Sequence, residues 1–342
     1  MEATAQQTDL IRLAGLTKVY GSGLIKKRET VALDGFNLSI AASPPRITTI
    51  AGESGSGKTT LANLILGFIT PTAGQVLYNG VNIWDMDRRG WFEFRRNVQA
   101  IFQDPYGTFD PFYRVDDVFD SLITKFKLTS SRTEARQITV DALEVVGLRP
   151  EEILGKYPHQ LSGGQRQRIM VARAFLLKPR LIVADEPVSM IDASLQVRVL
   201  DIIMRLKEEF GISFLYITHD LSTAYQISDD IFVLYAGSVM ESGDINSVIQ
   251  EPVHPYSQLL VSSIPVPDPT VRWEAQVKPP DAEAGVLFTG GCKFYDRCPF
   301  STAPCKRSVP QLYEVGPNHY ASCHLQQGRP VAQPRSVAGL GR

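Results

Sequence analysis

Apolar positions along the chain follow two periods, and the switches between them mark the elements. Residues 11–16 and 31–40 are short apolar-rich runs that predict strands, the second alternating around Leu33, Leu38 and Ile40. Residues 46–51 are β-branched, end in a glycine-rich turn, and give way to helical spacing from Lys58. From about residue 115 to residue 178, Glu, Arg and Gln separate apolar positions at helical intervals. A continuous apolar run at 181–184 predicts a buried strand. Leu195, Val199, Ile202, Ile203 and Leu206 then line one face of an amphipathic helix. Residues 214–218 and 231–235 complete the predicted core strands. Strands alternating with helices predict an α/β fold around a mainly parallel sheet. No segment repeats, so one such domain is expected, not a fused pair. Prolines crowd residues 252–280 and predict an extended connector, and the polar stretch 331–342 is expected to form a flexible tail.

Composition narrows the classes. With 342 residues, 44% hydrophobic and 21% charged, the chain can bury a substantial core. The net charge of −1, with Lys and Arg spread evenly, gives no electrostatic footprint for nucleic acid. The first residues are polar and acidic and do not read as a secretory signal. The longest apolar stretch, 61–69, is interrupted by Asn63 and falls short of the ~20 residues that span a bilayer. Any work at a membrane would use the spanning helices of other subunits.

Three motifs carry the candidate chemistry. Gly52-Glu53-Ser54-Gly55-Ser56-Gly57-Lys58-Thr59, followed by Thr60, fits a phosphate-binding P-loop between a strand and a helix. Its glycines let the backbone curl so that N–H groups face a phosphate, with the helix adding its positive end. Lys58 would meet the β- and γ-phosphates, and the Thr59 hydroxyl would ligate Mg²⁺. At the end of the 181–184 run stand Asp185, placed to bind Mg²⁺, and Glu186, placed to deprotonate an attacking water. Between them in sequence, Ser162-Gly163-Gly164-Gln165 opens a helical run, and a helix N-terminus is an anion site.

Ser162 to Gln165, taken with the other two motifs, resembles the signature of ABC ATPases. The resemblance implies that Ser162, Gly163, Gly164 and Gln165 grip ATP held by a partner subunit's P-loop. It further implies that Gln103 contacts Mg²⁺, that Asp192 lies at a dimer seam, that His219 approaches the γ-phosphate, and that Tyr20 stacks on adenine. The fold implied is an ABC ATPase cassette: a RecA-like P-loop core, an antiparallel β portion, and a helical subdomain inserted near 104–178. The cassette would occupy residues 1–250 and a C-terminal extension 251–330. Tyr157-Pro-His-Gln160, the run from Asp185 to Ser189, His254-Pro-Tyr-Ser-Gln-Leu-Leu260 and the Cys-containing tail look like the ATPases of oligopeptide and dipeptide importers. Pro44-Pro45-Arg46 and Met190-Ile191 depart from that pattern at positions without nucleotide chemistry.

This resemblance implies an ATPase coupled to import, with peptides as the solute and nickel or an oligosaccharide as alternatives. It implies ATP and Mg²⁺, a second ATPase subunit (a paralogue or another copy), two permease subunits and an extracytoplasmic solute-binding protein. The location implied is peripheral, on the cytoplasmic side of the cell membrane. A soluble ABC ATPase of translation or DNA repair is the rival, but those carry two cassettes or a long coiled coil.

All four cysteines, Cys292, Cys298, Cys305 and Cys323, fall in one short segment. Clustered cysteines in a cytosolic protein read as metal ligands before disulfides. A four-cysteine shell suits zinc or a [4Fe–4S] cluster, and spacing does not separate them. Relatives with an iron–sulfur cluster in this tail favour the cluster, while His319 and His324 keep zinc open.

Overall fold

The computed structural model describes residues 9–22, 28–104, 107–264 and 290–332. Most of the predicted connector, at 265–280, and the end of the predicted tail, at 333–342, lie outside the described residues. The chain divides into two compact units. One comprises residues 1–43, 47–85 and 218–342, the other residues 44–46 and 86–217.

The first unit contains an antiparallel sheet ordered Arg28–Ala41, Asp9–Ser22, Ala73–Tyr78, Val81–Asn82. Leu13, Leu16, Leu33, Phe36 and Leu38 supply its buried face. Each of the two long strands outruns the apolar pattern that predicts it. Their ends are fixed by cross-strand pairing, Tyr20 opposite Thr30 and Gly21 opposite Glu29, and pairing leaves no hydrophobic trace. The same unit carries five further strands in the order Ile47–Ala51, Asp230–Tyr235, Ser238–Asp244, His319–Ala321, Tyr313–Gly316. Ile47–Ala51 is wholly buried and runs parallel to Asp230–Tyr235. Each later neighbour pairs antiparallel. The last two strands, three and four residues long, are too short to show a period and were not foreseen.

The second unit holds three parallel strands, Val98–Ile101, Leu181–Asp185 and Ser213–Thr218, as the α/β reading predicts. The helical stretch resolves into Val115–Phe126, Arg132–Val145, Pro150–Ile153 and Gly163–Phe175. Left-handed residues at Lys127 and Gly147 stop the first two, and the Ser131 hydroxyl caps the second by accepting from the Glu134 N–H. The amphipathic helix Ala193–Phe210 buries Val199, Leu200, Ile203 and Leu206, leaving Leu195 and Ile202 half-buried at the margins of that face.

One carboxylate fastens the C-terminal residues to the first unit. Glu241 is fully buried on Ser238–Asp244. It accepts from the backbone N–H groups of Val253 (2.9 Å) and His254 (2.7 Å) and pairs with His319 Nε2 at 2.6 Å. A buried carboxylate without such partners would cost several kcal/mol. Glu241 therefore ties its strand both to the start of the helix Pro255–Ser262 and to the strand His319–Ala321.

His254 caps that helix, its Nδ1 accepting from the Tyr256 N–H at 3.0 Å. Burial drives its pKa down from 6.5 to about 4, against the opposing pull of Glu241. The folded protein thus keeps a neutral imidazole that the unfolded chain protonates first. This group's full contribution to stability is present above pH 6.5 and is lost as the pH falls toward 4, an effect of about 3 kcal/mol. Urea unfolding of His254→Asn, which keeps a capping acceptor, should therefore show a flatter pH profile than wild type over that window. Parallel profiles would contradict this account.

Candidate functional site

In the first unit the buried strand Ile47–Ala51 delivers the chain into the loop 52–57, and the helix Lys58–Ile65 follows. The turn requires glycine at two places by close approach. A Cβ on Gly52 (φ 155°) would lie 2.2 Å from the Leu234 carbonyl oxygen, and one on Gly57 (φ 107°) 2.2 Å from that of Ala32. Lys58 is buried, its Nζ donating to the carbonyls of Gly52 (2.7 Å) and Glu53 (2.9 Å). The ammonium is thus held beneath the loop, whose crest, Ser54 and Gly55, is exposed along with Thr59. Ser56 is buried and Thr60 half-buried. The Ser56 carbonyl accepts from the Gly237 N–H at 2.9 Å.

Two other predicted residues belong to this unit. Tyr20 lies near the end of the long hairpin, 42% exposed, with the Lys18 ammonium 5.1 Å from its ring centroid. It pairs with Thr30 across the hairpin. His219 is exposed in the step between the strand Ser213–Thr218 and the helix Leu221–Ile227. That step is fixed on both sides of it: Asp220 accepts from the Ser222 N–H at 2.8 Å and its own N–H donates to Thr218 Oγ1 at 3.0 Å.

The second unit brings Gln103 and Glu186 together. The Gln103 Nε2 donates to the Glu186 carboxylate at 2.8 Å across 83 residues of sequence. Glu186 follows Asp185 at the end of a buried strand and adopts a left-handed backbone, φ 47°. For a non-glycine residue this costs on the order of 1–3 kcal/mol and is found where surrounding contacts enforce it. Here its N–H donates to Ile217 O at 2.8 Å, while its carbonyl accepts from the Ser189 hydroxyl at 3.0 Å.

Ser162 and Gln165 form a capping box on the helix Gly163–Phe175. Ser162 Oγ accepts from the Gln165 N–H at 3.2 Å, and Gln165 Oε1 accepts from the Ser162 N–H at 2.9 Å. A surface depression joins Ser162, Gly163 and Gly164 to Asp192 and the residues before it. The sequence did not single out Gln196, whose Nε2 donates to the carbonyls of Val188 (3.1 Å) and Ile191 (3.2 Å) and shapes the loop leading to Asp192. An amide on a helix face carries no sequence mark of such a role.

The cysteine segment departs from expectation. Burial raises the thiol pKa of Cys292, Cys298 and Cys323, the last to about 11, and mutual electrostatics among the thiols adds to the rise. The thiols are thus within electrostatic reach of one another, yet among the described residues no three His, Cys, Asp or Glu side chains converge in a metal-holding group. Cys292 and Cys305 instead pack in an apolar cluster with Met240, Tyr256 and Phe294. His319 is committed to Glu241, and His324 Nε2 bonds the Ser308 carbonyl at 2.8 Å. Among the described residues, therefore, nothing supports a [4Fe–4S] cluster or zinc.

Residues 34–189 match the family model described as ABC transporter, and residues 240–305 match that of the oligopeptide/dipeptide transporter C-terminal region. The chain is 40% identical over 319 residues to the putative oligopeptide transport ATP-binding protein YkfD of Bacillus subtilis, covering 92% of this chain and 95% of that protein. It is 35% identical over 328 residues to the oligopeptide transport ATP-binding protein AppF of the same organism, covering 94% and 98%. The chain belongs to the ABC transporter ATP-binding proteins. Its fold matches a dimeric post-hydrolysis structure of the ATP-binding cassette MJ0796 bound to ADP and Pi, with TM-score 0.61 and 30% identity over 69% of this chain and 98% of that one. It also matches cbiO1 from Clostridium perfringens, part of the ABC transporter complex cbiONQ, with TM-score 0.60 and 26% identity over 71% and 92%. As an ABC ATPase subunit, the chain couples ATP hydrolysis to transport.

The close approach at Gly57 makes a test of the loop. Gly57→Ala should weaken MgATP binding by roughly tenfold to hundredfold, the cost of forcing atoms into a packed site. Gly80→Ala, also at positive φ but with open space around it, should leave binding unchanged. Equal affinities of both variants in a nucleotide titration would contradict the packing argument.

Proposed function

We propose that this ABC ATPase powers the import of oligopeptides or dipeptides. The observation that carries the reading is the match of residues 240–305 to the C-terminal region of oligopeptide/dipeptide transporters. That stretch includes Glu241, His254 and Tyr256, which fasten the C-terminal residues to the unit carrying the P-loop.

In this reading the 52–59 backbone cradles the phosphates, with Lys58 against the β- and γ-phosphates. Thr59, Asp185 and Gln103 serve Mg²⁺, and Glu186 takes the proton of the attacking water. The Gln103–Glu186 hydrogen bond engages the Gln103 amide nitrogen and one carboxylate oxygen, so the Gln103 Oε1 would be the atom that serves Mg²⁺. Ser162 and the amides at the start of its helix serve the nucleotide of a second ATPase subunit, Asp192 lies at the seam, and His219 meets the γ-phosphate. The dimeric state of the related cassette supports the two-subunit arrangement. Two permease subunits and a solute-binding protein complete the assembly. The chain acts peripherally in this reading, on the cytoplasmic side of the permease subunits; among the described residues no helix is long and apolar enough to cross a membrane.

Peptide-loaded solute-binding protein should stimulate MgATP turnover by the assembled transporter, and stimulation only by nickel or an oligosaccharide would redirect the solute assignment. Glu186→Gln should lower turnover by about 10²–10⁴, the usual share of a positioned base, while retaining ATP binding and trapping a closed pair of cassettes. Near-normal hydrolysis would contradict its role. Ser162→Arg should spare ATP binding by the isolated subunit while abolishing turnover at the composite site. Parallel loss of both would count against a role across the subunit seam.

A further inference from the structure

Glu53, the first variable residue of the P-loop, is gripped by residues roughly 200 to 240 positions away. Its carboxylate takes a bidentate fork from Arg297, with Nη1–Oε2 2.8 Å and Nη2–Oε1 2.9 Å. Its N–H donates to the Tyr256 hydroxyl at 2.9 Å. Its carbonyl receives Lys58 Nζ and the Ser56 N–H. Every polar group of Glu53 is therefore engaged, two of the three by the C-terminal part of the chain.

The grip is built, not incidental. The Arg297 side chain is 12% exposed and its guanidinium lies 5.5 Å from the Phe294 ring centroid and 5.6 Å from that of Tyr235. Phe294 and Tyr256 are buried and pack together with Tyr235. Backbone bonds from Tyr295 N–H to Cys292 O, and from Cys298 N–H to Tyr295 O, fold the short turn that presents Arg297. The Glu53 contact further raises the guanidinium's already high pKa, so the charge is permanent. Four residues earlier, Lys293 Nζ bridges Asp34 Oδ2 (3.0 Å) and the Ala236 carbonyl (2.9 Å), next to the Gly237 that meets Ser56.

We propose that Arg297 and Tyr256 are positioning residues for ATP binding, clamping the P-loop through Glu53. Neither touches nucleotide in this scheme. Glu53's carboxylate and N–H face the clamp, while Lys58 and the loop amides beyond it remain for phosphate. A loop fixed in its bound shape binds without the cost of ordering, so the clamp raises affinity for MgATP and leaves the chemical step alone. The Arg fork, fixed in plane, sets orientation where a lysine would supply only charge. The C-terminal segment thereby acts on the nucleotide site of its own subunit.

The inference rests on the P-loop reading, and the test separates the two. MgATP turnover of the full chain in its assembled transporter is measured for Arg297→Ala, Glu53→Gln and the double variant. The clamp predicts a KM raised about tenfold in each single variant, with kcat within twofold and no further rise in the double variant. Arg297→Lys should recover part of the loss. Thermal unfolding is read alongside. If Arg297→Ala melts well below wild type, Tyr256→Phe carries the same KM criterion and Arg297→Lys a smaller rise. A KM unchanged in the folded variants, or losses that multiply in the double variant, overturns the clamp. Lys58→Ala is the reference: normal MgATP binding there would instead overturn the P-loop reading on which the clamp rests.

Discussion

A loop that must turn its amides toward a phosphate has to find other partners for its carbonyls and its charge. That constraint organises the first unit. Lys58 is buried and its ammonium rests on the carbonyls of Gly52 and Glu53. Ser56 O is taken by Gly237, and the Glu53 side chain and N–H by Arg297 and Tyr256. Leu234 and Ala32 stand so close that only glycine fits at 52 and 57. A fully buried strand on one side and a helix on the other hold the loop at its ends. Few of these contacts stabilise the fold by much individually; together they brace the loop that we propose cradles the phosphates.

The same economy governs the C-terminal residues. A single buried carboxylate, Glu241, collects two backbone N–H groups and a histidine. The buried rings of Tyr256 and Phe294 pack in one apolar cluster with Cys292 and Cys305, which serve there as small apolar side chains. Strand pairing of His319–Ala321 with Ser238–Asp244 adds backbone hydrogen bonds. Hydrophobic burial and the satisfied Glu241–His319 pair both hold this segment in place.

What the sequence disclosed was local. The strand Ile47–Ala51, the turn behind it and the helix from Lys58 follow from β-branching, glycine spacing and helical period within about twenty residues. The strand ending in Asp185 and the helix that opens after Ser162 were legible for the same reason. What it hid is non-local. Gln103 and Glu186, or Glu53 and Arg297, meet only because the fold brings them together, and no spacing announces either pair. The cysteines' confinement to one segment resembles a ligand set, and among the described residues no metal-holding group supports that reading. The burial of Cys292, Cys305 and Cys323 shows only in three dimensions. The paired ends of the long hairpin were invisible to hydrophobic pattern, since cross-strand partners such as Tyr20 and Thr30 need not be apolar.

The central claim is that ATP turnover by this chain drives a peptide across a membrane. Uptake of a labelled oligopeptide into proteoliposomes holding the assembled transporter tests it most directly, with the peptide-loaded solute-binding protein on one face and nucleotide on the other. The account predicts accumulation with MgATP and none with MgADP. MgATP hydrolysis that proceeds without peptide accumulation, and without response to the loaded binding protein, would contradict it.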